Sequence, residues 1–404
     1  LGAPQIVSAL IDNGSKDQLE QYAHDVDEAA LGGFRVLAIA TKLNSDEETK
    51  MTLCGILLLT DPLDEGSRDT LAFMKANGIS VKMLTGDNHS IAQRISQDLS
   101  LQGSVLNRQE TLSFYSSGEL VPAKADSIAV FSEILPKDKY ELVKLFQKKY
   151  MVAATGDGVN DLPALKAANV SIAVSGAVSA LKGTADIVLL GQGLSVIKDA
   201  IIESRKIFVR LNNYSLYRIS ESFRLVITIL ILGLWYGFYP LVPLQLILLA
   251  FLNDIPIISL AVDRVKTLAK PSEIHAKKRM ILGLLFGSVG ILNSIILFFI
   301  MTAFWHLPLG AVQTMFFLKL TVSGHMLIFV AHTKERWYRF LPSKQVIAAT
   351  LTTQAIATLL AFTGFLMPSK ITIASIAFVW IWSFFWMQIG ELVKMLHARF
   401  SKEF

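Results

Sequence analysis

Val152-Ala-Ala-Thr155-Gly156-Asp157-Gly158-Val159-Asn160-Asp161 is the stretch that decides the predicted fold of the first half of the chain. A short apolar strand runs into a carboxylate between two glycines, and Asn160 and Asp161 follow where a helix would begin. Glycine permits close backbone approach to an anion, and carboxylate oxygens suit a hard cation such as Mg²⁺. The stretch therefore predicts a strand-to-helix turn that binds a phosphoryl group and Mg²⁺. An ordinary Gly-Asp turn that caps a helix is the alternative, and the length of the run after an apolar strand argues against it.

Short β-branched runs and amphipathic segments alternate along this half of the chain. Alternation of this kind predicts a parallel sheet with helices on both of its faces. Thr85 and Asp157 each follow an apolar strand, and ligands of such sheets bind at the carboxyl ends of the strands. The predicted strands are Val36–Ala40, Cys54–Leu59, Ser80–Leu84, Val152–Thr155 and Ile187–Leu190, and the predicted helices are Asp64–Asn77, Ser90–Ser100, Lys137–Lys149 and Asp161–Ala168.

Two further segments carry groups that suit phosphoryl chemistry. Val81–Asn88 is a second strand-to-turn sequence, in which Thr85 offers a hydroxyl to a phosphate oxygen. Lys139 stands near the start of the predicted helix 137–149, where an ammonium group would neutralise phosphoryl charge. Taken alone, the first segment is equally compatible with an ordinary turn, and the second is more simply explained as a solvated helix start.

The second half of the chain has the composition of a membrane protein. Over all 404 residues, 52% are hydrophobic and the mean hydropathy is +0.47, which is too apolar for an ordinary soluble protein. An apolar helix of about 20 residues, at 1.5 Å per residue, crosses a hydrocarbon core of about 30 Å. Six apolar runs are predicted to span a membrane: 222–240, 243–263, 280–304, 312–331, 345–367 and 371–393.

The net charge of +5 is distributed as a topology signal. Lys and Arg are concentrated in the connections 264–279 and 332–344 and in the tail, whereas the alternate connections hold only Lys370. Positive-inside bias therefore predicts that the soluble half and the C-terminus are cytoplasmic. No basic face with stacking aromatics is evident, so nucleic-acid binding is not expected. The single Cys54 argues against a disulfide framework, and the start at Leu1, without Met or a signal peptide, leads us to expect a fragment.

Charged and polar side chains interrupt the first two apolar runs, and ionisable groups inside a membrane mark functional sites. Arg224 lies in the first run, and Asn253 and Asp254 lie in the second. The predicted depths of Arg224 and Asp254 differ by roughly 5 Å, so we expect these two to pair. A carboxylate with a guanidinium partner and few other oxygens suits proton carriage and not a Ca²⁺ site. Snorkelling of Arg224 to the headgroups is the alternative, and Glu221 and His325 are lesser candidates for the path.

Thr85–Asp87, Lys139 and Thr155–Asp161, in this order and spacing, resemble the later motifs of P-type ATPases, a branch of the haloacid-dehalogenase-like fold. The resemblance covers essentially the whole chain. It implies an α/β haloacid-dehalogenase-like (Rossmann-like) cytoplasmic domain followed by an all-α membrane domain of six transmembrane helices. It also implies Mg²⁺ and ATP as cofactors.

The resemblance implies a role for each residue that matches a family motif. The catalytic residues would be Thr85, Gly86, Asp87, Lys139, Asn160 and Asp161. Mg²⁺ would be held by Asp157 and Asp161. Arg35 would touch ATP, and Asp61 would belong to the hinge of the nucleotide-binding domain. Leu1 stands where the family has a Lys, and the family's hinge motif continues to an Arg that is absent after Asp61.

Ser220–Val226, Leu252–Asp254 and Leu318–His325 are similar to the plasma-membrane proton-pump branch of that family. In that branch an Asp carries the proton and an Arg is its counter-charge, which the resemblance assigns to Asp254 and Arg224. The implied function is the C-terminal part of an ATP-driven pump that exports protons across the plasma membrane through an aspartyl-phosphate cycle. A pump for another cation, Mg²⁺ or K⁺, and a truncated non-catalytic membrane protein are the alternatives.

No Asp-Lys-Thr-Gly nucleophile occurs in the sequence. The resemblance places the phosphorylated Asp upstream, so we expect this chain to be inactive alone and to need the upstream remainder of the same pump as a partner. The implied domains are the end of a nucleotide-binding domain (1–45), a phosphorylation domain without its nucleophile segment (46–197), a stalk helix (198–221), a six-helix transmembrane domain (222–397) and a cytoplasmic tail (398–404).

Overall fold

The computed structural model describes the chain except residues 12–15, 33, 43–49, 60–62, 64–65, 117–121, 192, 267–275 and 401–404. The described residues form two compact units, Leu1–Ile201 and Ile202–Phe404. The N-terminal unit combines strands and helices, and the second unit, called the helical unit below, contains no strand among its described residues. The predicted order of an α/β part followed by an all-α part is therefore confirmed. The predicted boundary at 45/46 lies outside the described residues.

The N-terminal unit alternates strands with short helices. Its strands are Arg35–Thr41 (β1), Thr52–Leu59 (β2), Met83–Leu84 (β3), Ser104–Leu106 (β4), Ile128–Phe131 (β5), Ala153–Gly156 (β6), Val170–Ala173 (β7) and Ile187–Val188 (β8). Its helices are Pro4–Ser8 (α1), Lys16–Leu31 (α2), Ser67–Ala76 (α3), His89–Asp98 (α4), Arg108–Ser116 (α5), Pro122–Ala125 (α6), Pro136–Gln147 (α7), Leu162–Ala167 (α8) and Ser179–Lys182 (α9), with a 3₁₀ turn at Val159–Asp161 before α8.

The first two strands form an antiparallel hairpin. β1 pairs with β2 with Arg35 opposite Leu59 and Thr41 opposite Thr52. The prediction that both runs belong to a parallel sheet is therefore wrong. The connection 42–51 is ten residues long, whereas a parallel crossover needs a dozen or more. A connection of that length favours the hairpin.

The other six strands pair in parallel, as predicted, in two three-stranded sheets. Their orders are β3-β5-β4 and β6-β7-β8. The sequence pattern does not predict β4, β5 or β7. Every residue of β5 is buried, so its apolar run has no alternation, and β4 and β7 are only three and four residues long.

Two strand ends position the predicted site residues. β3 ends at Leu84 and β6 ends at Gly156, so Thr85 and Asp157 directly follow the carboxyl ends of parallel strands. Helix α7 is held beside β5 by apolar packing, in which the rings of Phe131 and Phe146 meet edge to face with centroids 6.4 Å apart. This packing fixes the helix that carries Lys139.

The helical unit supplies the membrane part of the fold. Among the described residues, six helices are long and apolar enough to cross a membrane, which confirms the predicted number. The helices of this part are Ser195–Tyr236 (α10), Pro243–Ser259 (α11), Ala276–Phe299 (α12), Leu309–Ala331 (α13), Lys344–Thr363 (α14) and Ile373–Phe400 (α15), with a 3₁₀ turn at Leu260–Val262 after α11 and a π-helical turn at Ile300–Phe304 after α12.

Helix α13 is the central helix of this unit. About four fifths of its most apolar window is buried (78%), against at most 39% for the other five spans. Met315, Phe316, Phe317 and Leu318 are all fully buried in the main apolar core. Polar groups on α13 are therefore enclosed by protein.

Candidate functional site

The turn after β6 places three acidic or amide side chains within five residues. Asp157 is exposed, and its backbone carbonyl accepts a hydrogen bond from the Val178 amide at 3.0 Å. Asn160 is exposed in the following 3₁₀ turn, and Asp161 is partly buried at its end. The Asp161 amide donates to the Gly158 carbonyl at 3.1 Å, which closes the turn.

Gly156 is required for the position of the Asp161 carboxylate. A Cβ atom added at Gly156 would lie 2.6 Å from both Cβ and Oδ2 of Asp161. A Cβ added at Gly158 would meet nothing nearer than the Asn160 amide nitrogen at 3.9 Å. The first glycine of the motif therefore makes room for a carboxylate, a function that the sequence does not distinguish from simple turn flexibility.

Lys139 reaches this turn from helix α7. Its ammonium nitrogen donates to Asp161 Oδ1 at 2.7 Å, and both side chains are mostly buried, with 16% and 17% of their surface exposed. The structure thus brings together two predicted site residues that are 22 positions apart in the sequence. A mostly buried ammonium at this edge can neutralise an anion that approaches Asp157.

The start of α7 is fixed by Asp138, the residue before Lys139. Asp138 Oδ2 accepts hydrogen bonds from Arg108 Nε at 2.7 Å and from the Leu135 amide at 2.9 Å. Burial by itself would raise the pKa of Asp138, but these hydrogen bonds and the Arg108 charge together hold the pKa below its usual range. The carboxylate therefore holds the first turn of the helix that presents Lys139.

Thr85 lies at the end of the other parallel sheet. Its hydroxyl donates to Asp87 Oδ2 at 2.7 Å and accepts from the Asp87 amide at 3.1 Å, while Gly86 between them is exposed. The Thr85 amide donates to the Phe131 carbonyl at 2.9 Å, which ties the loop to β5. Among the described residues, no hydrogen bond links Thr85 to Lys139 or to the turn after β6. The catalytic role of Thr85 therefore stays a prediction.

Only one of the two predicted nucleotide-contacting residues lies among the described residues. Arg35 is the first residue of β1. Asp61 lies outside the described residues. Both assignments stay predictions.

The chemistry of the turn after β6 fits a divalent cation. Asp157 and Asp161 offer carboxylate oxygens, the ligands that Mg²⁺ prefers. In the described part of the chain, the Asp157 carboxylate accepts no hydrogen bond, so both of its oxygens are available. Asp161 Oδ1 accepts the hydrogen bond from Lys139, whereas Asp161 Oδ2 lies beside Gly156.

In the helical unit, Arg224 does not pair with Asp254, so the predicted pair is a wrong prediction. Arg224 Nη2 donates to Glu221 Oε1 at 2.5 Å and to the Leu320 carbonyl at 3.0 Å, and Nη1 donates to Ser323 Oγ at 2.5 Å. Its side chain is 5% exposed, which also argues against snorkelling. Glu221, a lesser candidate from the sequence, is therefore the counter-charge of Arg224.

Asp254 lies beside Arg218 instead. Arg218 Nη1 is 3.7 Å from Asp254 Oδ1, and both side chains are about half exposed. Arg218 and Arg224 are six residues apart on α10, which is about 240° around a helix with 3.6 residues per turn, so they occupy different faces. Asn253 is buried, and its Oδ1 has no hydrogen-bond partner among the described residues. Asp254, the proposed proton carrier, is therefore partly exposed, whereas its neighbour Asn253 is buried.

Sequence reasoning also missed Lys319. This residue is fully buried in α13, and its ammonium nitrogen donates to Ser294 Oγ on α12 at 2.5 Å. The signal was present in the sequence, because Lys319 is a lone cation near the middle of an apolar run. His325, six residues further along α13, has Nδ1 3.3 Å from the Thr353 hydroxyl.

Comparison with known proteins gives matches to both halves of the chain. A family model described as haloacid dehalogenase-like hydrolase matches residues 4–169. A protein of Methanocaldococcus jannaschii named "Putative cation-transporting ATPase" is 37% identical over 402 residues, which cover 98% of this chain and 49% of that protein. Plasma membrane ATPase 1 of Saccharomyces cerevisiae is 32% identical over 399 residues, 95% of this chain and 42% of that protein. A probable plasma membrane ATPase of Dictyostelium discoideum is 32% identical over 378 residues, 90% of this chain and 35% of that protein. The chain thus spans half or less of the length of these relatives.

Proposed function

Because the chain carries a haloacid dehalogenase-like hydrolase domain and is homologous to P-type cation ATPases over most of its length, we propose that it is the C-terminal part of an ATP-driven pump that exports protons. The observation that carries this proposal is the contact between Lys139 and Asp161 beside the exposed Asp157 carboxylate. A cation and two carboxylates at the end of a parallel strand are what a phosphoryl group and Mg²⁺ require together.

The N-terminal unit would handle the phosphoryl group. Asp157 and Asp161 would hold Mg²⁺, which when bound polarises a phosphoryl oxygen and offsets its charge. Lys139 supplies a fixed positive charge next to the Asp161 carboxylate. Asn160, the residue before Asp161, is exposed and has a side-chain amide that can donate to a phosphoryl oxygen. Thr85 would offer its hydroxyl once its hydrogen bond to Asp87 opens.

ATP is the proposed source of the phosphoryl group, with Arg35 and Asp61 as nucleotide contacts. The sequence contains no Asp-Lys-Thr-Gly run, so the phosphorylated aspartate would belong to a different segment of the pump. The upstream remainder of the pump is accordingly the proposed partner. This chain by itself would then bind Mg²⁺ and phosphate but form no phosphoenzyme.

The helical unit would carry the ion. Asp254 is the proposed proton carrier, and Arg218, at 3.7 Å, is its cationic neighbour. Its place within a helix that is long and apolar enough to cross a membrane supports this role, because an ionisable group inside a span marks a functional site. We further propose a plasma-membrane location with the N-terminal unit and the C-terminus on the cytoplasmic side, in keeping with the basic connections.

A pump for a metal cation is the second candidate, favoured by the similarity to a protein named as a cation-transporting ATPase. Reconstitution of the full-length pump that contains this chain separates the two. Vesicles would be supplied with Mg-ATP in choline buffer, and lumenal pH and ATP hydrolysis would be recorded with and without K⁺ or extra Mg²⁺. Proton export predicts ATP-driven acidification without any added cation. Hydrolysis that depends strictly on K⁺ or on Mg²⁺ beyond Mg-ATP would reverse this assignment.

A further inference from the structure

Lys319 carries a buried ammonium group to which the proposed function assigns no role. It lies ten residues from the start of α13 and twelve from its end, which is about 15–18 Å from either end at 1.5 Å per residue. It is fully buried, so it cannot snorkel to a membrane surface. A cation at this depth is costly and indicates function by default.

Lys319 shares this part of the helical unit with other polar side chains. The set is called here the buried charge cluster and consists of Glu221, Arg224, Ser294, Lys319 and Ser323. Ser294 Oγ accepts from Lys319 and donates to the Gly290 carbonyl at 2.7 Å. Ser323, one turn after Lys319 on α13, accepts from Arg224. The cluster therefore joins α10, α12 and α13.

Two glycines let this cluster close. A Cβ added at Gly290 would collide with the Arg224 side chain. A Cβ at Gly324 would lie 3.1 Å from Arg224 Nη2 and 3.2 Å from Glu221 Oε1. The glycines allow the charged side chains to lie directly against the backbones of α12 and α13.

The cluster contains two basic side chains and one carboxylate. Glu221 Oε1 is engaged by Arg224, and no carboxylate among the described residues forms an ion pair with Lys319. Glu221 Oε2 is buried and has no hydrogen-bond partner in the described part of the chain. Glu221 Oε2 and Ser294 Oγ, which Arg224 does not engage, are oxygens that could ligate a metal cation if the ammonium were absent.

We propose that Lys319 is a specificity-determining residue that prevents metal cations from binding at the buried charge cluster. This inference rests on the proposed function and deepens it, since it concerns which cations the membrane part of the pump would bind. An ammonium held 4 Å from a metal ion, at an effective dielectric constant of about 20, weakens binding of that ion by roughly 1,000-fold. It also occupies a lone pair of Ser294 Oγ, an oxygen that the metal would need.

The same arrangement leaves proton carriage open. Asp254 lies 3.7 Å from Arg218, and in the described part of the chain it forms no hydrogen bond or ion pair with a member of the cluster. Lys319 therefore acts on metal selectivity and not on the carboxylate that would bind the proton. The two properties can be tested separately.

The test is equilibrium binding of ²²Na⁺ and ⁸⁶Rb⁺ to the purified full-length pump that contains this chain, without ATP. Wild type and Lys319→Arg, which keeps the charge, should show no saturable site in the millimolar range. Lys319→Met, which keeps the length of the side chain, and Lys319→Gln should each show a saturable site at least about 100-fold tighter than wild type. Adding Ser294→Ala to Lys319→Met should weaken that site again.

Each result decides the inference. Saturable Na⁺ or Rb⁺ binding by wild type overturns it, and this holds even if a variant does not fold. The inference is also overturned if Lys319→Met and Lys319→Gln proteins elute and melt as folded species but bind no metal cation. Because no ATP is present, the result is independent of pumping: wild-type protein that fails to acidify vesicles would overturn the proposed function and leave the binding result valid.

Discussion

The ammonium nitrogen of Lys139 donates a hydrogen bond to Asp161 Oδ1 across 2.7 Å, and this contact joins α7 to the turn after β6. Helix α7 follows β5 in one three-stranded sheet, whereas the turn follows β6 in the other. The pair therefore connects the two sheets at the point where the phosphoryl site is proposed. Its mostly buried position makes the charge effective, because water screens it little.

Replacing Lys139 by Met should remove the positive charge and keep the packing of α7. We expect phosphoenzyme formation from ATP by the full-length pump to fall about 100- to 1,000-fold, the usual effect of losing one preorganised charge at a reacting group. Radiolabelled phosphate incorporation measures this. Lys137→Met is the matched control, because Lys137 is exposed on the first turn of the same helix. An equal loss in both variants would remove Lys139 from the site.

Gly156→Ala should displace the Asp161 carboxylate, since the new methyl group would lie 2.6 Å from Oδ2. A displacement of about 1 Å at a reacting site lowers the rate by about 100-fold. Gly158→Ala is the control, because its methyl group has no atom nearer than 3.9 Å. Measuring the Mg²⁺ concentration for half-maximal phosphorylation should show a change for the first variant only. Parallel behaviour of the two glycines would mean that backbone flexibility, and not space for Asp161, is what the motif needs.

The N-terminal site could be predicted because its determinants are local in the sequence. An apolar run sets the end of β6, and the residues that follow it stand on the strand edge whatever the rest of the sheet does. The hairpin of β1 and β2 was missed because strand direction depends on the length of the connection as well as on apolar pattern. The Lys139–Asp161 contact follows from packing of α7 on β5, which no spacing in the sequence specifies.

The predicted pairing of Arg224 with Asp254 is wrong for a different reason. Counting residues predicts the depth of Arg224 and Asp254 along their helices, but it does not predict the angle at which each side chain leaves its helix. Glu221 lies one turn before Arg224 on the same face of the helix and accepts a hydrogen bond from its guanidinium. Arg218, on a different face, lies beside Asp254. Lys319 could have been singled out by the rule that a charge inside a span needs an explanation.

Acid should weaken the start of α7. The pKa of Asp138 is lowered in the folded protein, with burial opposing the shift and the Arg108 hydrogen bond producing it, from an ordinary value of 3.8. A carboxyl with a depressed folded-state pKa stabilises the fold above its unfolded pKa, and this stabilisation is lost as the pH falls below 3.8 and through the folded-state value. Hydrogen exchange of the α7 amides, corrected for its intrinsic pH dependence, should show protection decreasing in this window.

Arg108→Met should remove most of that pH dependence, because it removes the main partner of Asp138. Arg94→Met is the control, since its ion pair with Asp98 is 3.8 Å long and about half exposed. A control variant that flattened the α7 profile as strongly as Arg108→Met would contradict the assignment of the acid effect to Asp138.

Breaking the Glu221–Arg224 pair should destabilise the helical unit strongly. Both side chains are about 5% exposed, so Glu221→Gln would leave a buried guanidinium without its counter-charge. Loss of one partner of such a pair costs about 3–5 kcal/mol. Glu203→Gln, on the same helix with a half-exposed carboxylate, should cost about 0–1 kcal/mol. Thermal unfolding of the purified protein in detergent measures both, and similar melting temperatures for the two variants would show that Arg224 is not held by Glu221.

Asp254→Asn should abolish ATP-driven acidification of vesicles by the full-length pump, because a neutral amide cannot take up and release a proton. Asn has nearly the same size and shape as Asp, so the variant should fold and melt like wild type. Arg218→Met should reduce acidification, since it removes the cation that lies 3.7 Å from the proposed carrier. Arg218→Lys, which keeps the charge, should restore much of the wild-type rate. Asp199→Asn, an exposed acid at the start of α10, is the control and should pump normally. Continued acidification by a folded Asp254→Asn protein would assign the proton to a different group.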